Sequence, residues 1–213
     1  MKELSTEEKI QKLVIKTKKE LNKKIEQRMD ELKTDDNSHQ EAYQWLGIDE
    51  EEGKKIDEYQ NKGRLLYKSL GSTLEKVVQM CFEGKYEDIE KNKKIPNTVS
   101  SSPKKVEIDC LLNKKEAIEI KWRDATTDGD HVKKEKTRIE VIKKAGYKPV
   151  RIMLYDPIRE EAISIQKKIK KEYDEAGGEY YSGKAAWNYI KEKTDTDLKK
   201  VLNDIKEEED DKK

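Results

Sequence analysis

Asp109, Glu119 and Lys121 are the residues whose types and spacing could do chemistry. They lie in "VEIDCLLNKKEAIEIKWRD", residues 106–124, where a carboxylate interrupts one apolar run and a Glu-x-Lys interrupts the next. In an extended chain the side chains at i and i+2 share a face, so Glu119 and Lys121 stand side by side with Ile120 turned toward a core. A short turn through "NKK" would set Asp109 on the facing antiparallel strand. Charges brought together on a half-buried sheet are costly unless they pair or hold a metal. Two carboxylates suit a hard cation such as Mg²⁺, which takes only one or two of them and keeps water and phosphate in its other positions. Such an ion activates water and polarises a phosphoryl oxygen, while a neighbouring Lys orients the water and balances developing charge. Those are the requirements of phosphodiester hydrolysis. The plainer alternative is a surface Glu–Lys pair on an edge strand, in a chain carrying 47 Lys and Arg and 46 Asp and Glu.

The elements that must position these groups are legible from periodicity. Residues 5–33 repeat apolar side chains at Ile10, Val14, Leu21, Ile25 and Leu32 at helical spacing, and Ser5 with Glu8 is a capping box for the start. A second helix runs through Ala42, Tyr43 and Leu46 to a stop at Gly47, and a third from about 54 through Ile56, Tyr59 and Leu66. A further helix over 69–92 has Leu70, Leu74, Val77, Val78, Cys81 and Phe82 on one face, and 95–103 reads as a loop or short irregular strand. After the hairpin, "HVKKEKTRIEVIKKAG" is a helix with Ile139 and Ile142 inward, stopped by Gly146. "KPVRIMLYDP" is a nearly continuous apolar strand buried on both faces. Helices over 157–176 and 183–206 lead to an acidic tail, with Tyr180, Tyr181, Trp187 and Tyr189 as their anchors. The fold class is α/β: a mixed central sheet flanked by helices, with additional helices at both ends. Residues 1–66 are expected to form an N-terminal helical region and 67–213 the sheet-bearing core.

Composition excludes several classes. No apolar run approaches the roughly 18–20 residues that cross a bilayer, and "MKELSTEEKI" lacks the apolar centre of a signal peptide, so a cytoplasmic location is expected. Cys81 and Cys110 are too isolated for a disulfide framework or a zinc site. The net charge is only +1, but residues 53–155 hold 24 Lys and Arg against 16 Asp and Glu, a net of +8, and the remainder nets −7. A basic middle between acidic ends suits a phosphate-binding face as well as it suits a solvated, Lys-rich surface.

An Asp, then a Glu-x-Lys on the next strand, preceded by a Glu-bearing helix and followed by a helix and a buried strand, resembles the PD-(D/E)XK nuclease superfamily over about 70–160. In detail "AIEIKWRDATTDGDHVKKEKTRIEVIKKAGYKPVRIMLY" resembles type II restriction endonucleases of the ApaLI-like family. The resemblance implies that Asp109 and Glu119 bind metal together with the Ile120 carbonyl, and that Lys121 is the catalytic lysine. The residue before the Asp is Ile108 where the superfamily often has Pro. A further Glu on the preceding helix is common in the superfamily, and Glu75 is the candidate; Ser72 with Glu75 fits a capping box equally well. The resemblance further implies a restriction-endonuclease-like fold and Mg²⁺ as cofactor, with Mn²⁺ able to substitute. The activity it implies is sequence-specific cleavage of double-stranded DNA, leaving 5′-phosphate and 3′-hydroxyl ends.

The polar loop and helix start after Lys121 supply candidate DNA contacts. Arg123, Lys133, Lys134, Lys136 and Arg138 suit phosphates or guanine edges, and Asp124, Thr126, Thr127, Asp128 and His131 suit base edges or the ordering of the loop. For any single residue the alternative is a solvated helix start capped by Asp130. His131 has no visible partner that would make it a general base. A palindromic site mirrors a two-fold protein, so a homodimer is expected, with 1–66 contributing to its interface. The alternatives are a repair or junction-cleaving nuclease of the same fold, and a non-enzymatic helical DNA-binding protein in which the acidic pair is incidental.

Overall fold

The computed structural model of the chain describes residues 4–123 and 130–210, the side chains of 207–210 excepted. Its elements run α1 (Thr6–Leu32), α2 (Gln40–Trp45), α3 (Glu50–Lys85), β1 (Ile89–Pro96), β2 (Lys105–Leu112), β3 (Glu116–Lys121), α4 (Asp130–Lys144), β4 (Lys148–Met153), α5 (Glu160–Glu175), β5 (Glu179–Ser182), α6 (Lys184–Thr194) and α7 (Leu198–Asp210). The chain divides into two compact units, Lys12–Thr73 and Met1–Gln11 with Leu74–Lys213, and the division falls inside α1 and α3. Among the described residues no helix is long and apolar enough to cross a membrane.

The smaller unit is helical. Asp57 is its polar hub, accepting hydrogen bonds from Tyr43 Oη at 2.8 Å and His39 Nε2 at 2.9 Å, while Arg28 Nε donates to Asn61 at 2.9 Å. Trp45, Leu46, Tyr59 and Tyr67 are exposed.

The larger unit holds a five-stranded sheet in the order β1-β2-β3-β4-β5. The first three strands are antiparallel neighbours, and β3, β4 and β5 are parallel. Two parallel neighbours need a crossover between them, and α4 supplies the one from β3 to β4. The three-residue β2–β3 turn holds Asn113 and Lys114 in the left-handed region at φ 49° and 51°, with Lys115 N–H bonded to the Leu112 carbonyl at 2.9 Å. Gly146, at φ 83°, ends α4 in a Schellman motif, with Tyr147 N–H on the Ile142 carbonyl and Gly146 N–H on that of Lys143. Leu74, Val77, Val78, Cys81 and Phe82 are buried along α3, and Ile108, Cys110, Ile118, Ile120, Val150 and Ile152 along the strands. Val141 and Ile142 of α4 pack with Leu111 and Ala117, so β2 and β3 are covered on both faces.

Three expectations about elements are corrected. The helices expected from about 54 to 66 and from 69 onward are one helix, α3, begun by Asp49, whose carboxylate accepts Glu52 N–H at 2.9 Å. Gly63 and Gly71 lie inside it; a helix-interior Gly costs only ~1 kcal/mol relative to Ala, and no Pro intervenes to break the ladder. The same helix stops at Lys85 rather than 92, and strand β1 takes the place of the expected helix end, leaving 97–104 as the expected loop. β1 is an edge strand studded with Lys91, Lys93 and Lys94, so its alternation is weak and its pairing with β2 forms it. Finally, the last expected helix is two, α6 and α7, separated by Asp195 at φ 57°, and the short edge strand β5 precedes them. Tyr180 and Tyr181 lie in that strand and anchor the helices as expected, Tyr180 Oη donating to Gln166 of α5 at 2.9 Å and Tyr181 stacking on Tyr189 of α6.

Candidate active site

The hairpin opens at the point where its charges lie. The β2–β3 ladder pairs Leu112 with Glu116, Leu111 with Ala117 and Cys110 with Ile118, and stops there. One step further, Ile120 N–H is taken by the Asp109 carboxylate, Oδ2 at 2.6 Å, instead of by a backbone carbonyl. On the other side, β1 pairs Lys91 with Cys110 and Lys93 with Ile108 but skips Asn92, which sits at φ 51° opposite Asp109. The Asp109 carbonyl thus left out of the ladder accepts from Gln79 Nε2 at 3.0 Å, and the same amide donates to Asn92 Oδ1 at 3.2 Å. Gln79 is buried on α3, one turn after Glu75. Asp109 is therefore held through both its carbonyl and its side chain, from α3 and from β3.

Glu119 is almost wholly buried, at 1% exposure. One oxygen meets the Lys121 ammonium and the other the Arg138 guanidinium of α4, ion contacts that stand in for regular hydrogen bonds. Arg138 Nε also lies 3.6 Å from Glu135 Oε1, and Glu135 Oε2 accepts from Arg151 Nη1 at 2.7 Å, both of the latter pair being buried. Arg151 is the register partner of Glu119 across β3 and β4. The charges thus form a chain alternating in sign, Glu119, Arg138, Glu135 and Arg151, whose last member is the backbone neighbour of its first.

The protonation equilibria reflect this packing. Burial, reinforced by the negative charge of Glu119, pushes the Asp109 carboxyl up to about 7, against the opposing effects of Lys121 and the Ile120 N–H. Burial also raises Glu75, Lys121 opposing and Glu119 adding. Glu135 is held below the usual carboxylate range, because Arg151 and Arg138 outweigh its burial. His131, half-buried at the start of α4, is depressed by burial; Glu135 opposes that shift, and the cations Arg151, Lys121 and Arg138 add to it.

The capping alternative for Glu75 falls, because Ser72 and Glu75 are in the interior of α3 and no helix begins there. Ile120, whose carbonyl the resemblance assigns to the metal, lies between Glu119 and Lys121 with its N–H on Asp109. Among the DNA-contact candidates, Lys133, Lys134 and Arg138 line a cleft of about 590 Å³ with Lys105, Thr137, Ser100 and Ser102. Lys136 turns instead to Glu172 of α5, at 3.4 Å. Arg123 is half-buried just beyond β3. Asp124, Thr126, Thr127 and Asp128 lie outside the described residues. Sequence reasoning missed Gln79, Glu135, Arg151 and Lys105. Arg151 carried the same signal as Asp109, a charge inside an apolar strand.

The donor set fits a hard divalent cation with an incomplete protein shell. Among the described residues no three His, Cys, Asp or Glu side chains converge on one metal position. The carboxylates available are Asp109 and Glu119, crowded enough that one raises the other's pKa. That is the number Mg²⁺ takes when water and substrate oxygens complete its octahedron.

A mixed five-stranded sheet flanked by helices, with further helices at both ends, is the architecture of the restriction-endonuclease-like α/β class. The chain belongs to the ApaLI-like restriction endonuclease family, whose model matches residues 1–207. Membership implies that its ligand is DNA. No curated protein and no solved structure matches the chain.

Proposed function

We propose that the protein is a Mg²⁺-dependent type II restriction endonuclease, with Mn²⁺ able to substitute, that hydrolyses both strands of a palindromic DNA site to 5′-phosphate and 3′-hydroxyl ends. The observation that carries this reading is the convergence of Asp109, Glu119 and Lys121 where the β2–β3 ladder ends, with Asp109 bonded to Ile120 N–H. Asp109 and Glu119, with the Ile120 carbonyl, would hold the metal, which supplies an activated water and neutralises charge on the scissile phosphoryl group. Lys121, on the more exposed end of β3, orients the attacking water and balances charge developing on the phosphate. Glu75, one turn from Gln79, adds negative potential at the same site. Lys105, Lys133 and Lys134 along the cleft would neutralise backbone phosphates on the approach to the site, while Arg123 and His131 flank it. Two active sites related by a two-fold axis match the two strands of a palindrome, and the helical region 1–66, which exposes Trp45 and Leu46, is offered as part of the dimer interface.

Incubation with supercoiled plasmid and Mg²⁺, with sequencing of the ends, tests this reading. Discrete fragments with 5′-phosphates, lost in Asp109→Ala, are expected. Cleavage only at branches, lesions or ends would assign the repair reading, and no cleavage by the wild type under any divalent cation would leave a DNA-binding protein.

A further inference from the structure

Arg138 belongs to a residue type that ordinarily points into solvent, yet its side chain on α4 is only 26% exposed and is engaged by two carboxylates. One is Glu119, the proposed metal ligand, and the other is Glu135, itself fixed by the buried Arg151. Glu135 and Arg138 are i and i+3 on one helix, so the helix delivers both groups to the same patch of sheet. Arg151 reaches that patch as the β4 register neighbour of Glu119, so the chain of ion pairs ends beside the strand where it began. A carboxylate at 1% exposure is tolerated only with cations against it, and a guanidinium is the cation that stays charged however deeply it is buried.

We infer that Arg138 is a positioning residue that acts as a resident counter-ion: it holds the Glu119 carboxylate in place before the metal arrives and competes with the metal for it. The inference rests on the metal-site reading above and concerns what tunes that site. Glu135 sets the strength of the competition. Its charge draws the guanidinium away from Glu119, so with Glu135 intact Arg138 gives way to a divalent ion without leaving the protein, because it retains a carboxylate partner. Removing Arg138 leaves Glu119 more negative and favours the cation; removing the Glu135 charge gives Arg138 wholly to Glu119 and raises the local positive potential, which disfavours it. The two substitutions therefore change metal affinity in opposite directions although both disturb the same network, an outcome that a purely structural role does not produce.

The test is a titration of the full chain with Mn²⁺ alone, without DNA, reading free Mn²⁺ by its paramagnetic resonance signal. Arg138→Gln is expected to bind at least about tenfold more tightly than the wild type, and Glu135→Gln more weakly by about the same factor. Arg138→Lys, which keeps the charge, is expected to stay near the wild-type affinity. Shifts of the same sign in Arg138→Gln and Glu135→Gln, or no shift in either, overturn the inference. Should Arg138→Gln fail to fold, Glu135→Gln decides alone: weaker binding supports the competition, and unchanged or tighter binding refutes it. Asp109→Asn separates the two levels. Wild-type binding that Asp109→Asn abolishes upholds the metal site whatever Arg138 does, whereas a wild type that binds no Mn²⁺ overturns the metal site and this inference together.

Discussion

Gln79 donates to the Asp109 carbonyl at 3.0 Å, closing a gap that the sheet itself leaves open where β1 skips Asn92. A helix amide thus replaces a strand partner at the residue whose side chain carries the chemistry. Gln79→Leu leaves the half-buried Asp109 carbonyl without its partner, and a cost of about 1 kcal/mol in unfolding free energy is expected. Denaturant titration measures it. Cleavage in the folded variant should fall as well, because Asp109 loses one of its two anchors.

Asp109 carries a pH dependence whose sign is fixed by the direction of its shift. Its folded pKa, about 7, lies above the unfolded carboxylate value, so the protonated form is favoured by folding. Stability from this group is fully present below pH ~4 and is lost as pH rises through about 7, by at most about 4 kcal/mol. Asp109→Asn keeps an acceptor for Ile120 N–H and cannot ionise. It should melt higher than the wild type at pH 8 in the absence of divalent metal, and the difference should shrink toward pH 5. A variant that melts lower at pH 8 would mark Asp109 as one half of a stabilising ion pair.

Glu119→Gln and Lys121→Ala should each lower plasmid cleavage by about 10³-fold or more while the far-ultraviolet circular dichroism stays that of the wild type. Loss of the spectrum along with the activity would make these residues structural.

The Glu135–Arg151 pair is buried at both ends, so Arg151→Met alone leaves the Glu135 carboxylate with only the longer Arg138 contact and is expected to cost about 3 kcal/mol. Adding Glu135→Leu removes the under-compensated charge and should recover most of that loss. A double-mutant cycle by chemical denaturation reads the coupling.

Lys105→Ala and Lys133→Ala, at the cleft, should each weaken binding to any DNA sequence and reduce the slope of log affinity against log salt by about 1. Lys136→Ala should leave both unchanged, since its ammonium is committed to Glu172. Equal effects from all three would place the DNA elsewhere.

How much of this was legible in the sequence depends on the range of the interactions. The Ser5–Glu8 capping box forms as read, with Ser5 N–H on Glu8 at 2.7 Å and Glu8 N–H on Ser5 at 3.2 Å, and Gly47 and Gly146 end their helices as expected. These are contacts between residues within a few positions of each other, and residue type alone decides them. The hairpin and the buried strand β4 were equally plain, since alternation and apolar runs record which faces meet a core. β1 and β5 were not, because an edge strand of Lys or of four residues is made by the hydrogen bonds of its neighbour.

The sequence by itself determined the helices with local caps, the β2–β3 hairpin, and the pairing of a carboxylate with a Glu-x-Lys, because each depends on spacing along the chain. Only the tertiary structure decided that α3 runs unbroken past Glu75 to deliver Gln79 to Asp109, and that Glu135, Arg138 and Arg151 converge on Glu119. Those residues come from separate elements, and what selects their partners is the demand that every charge and amide shut away from water find an opposite.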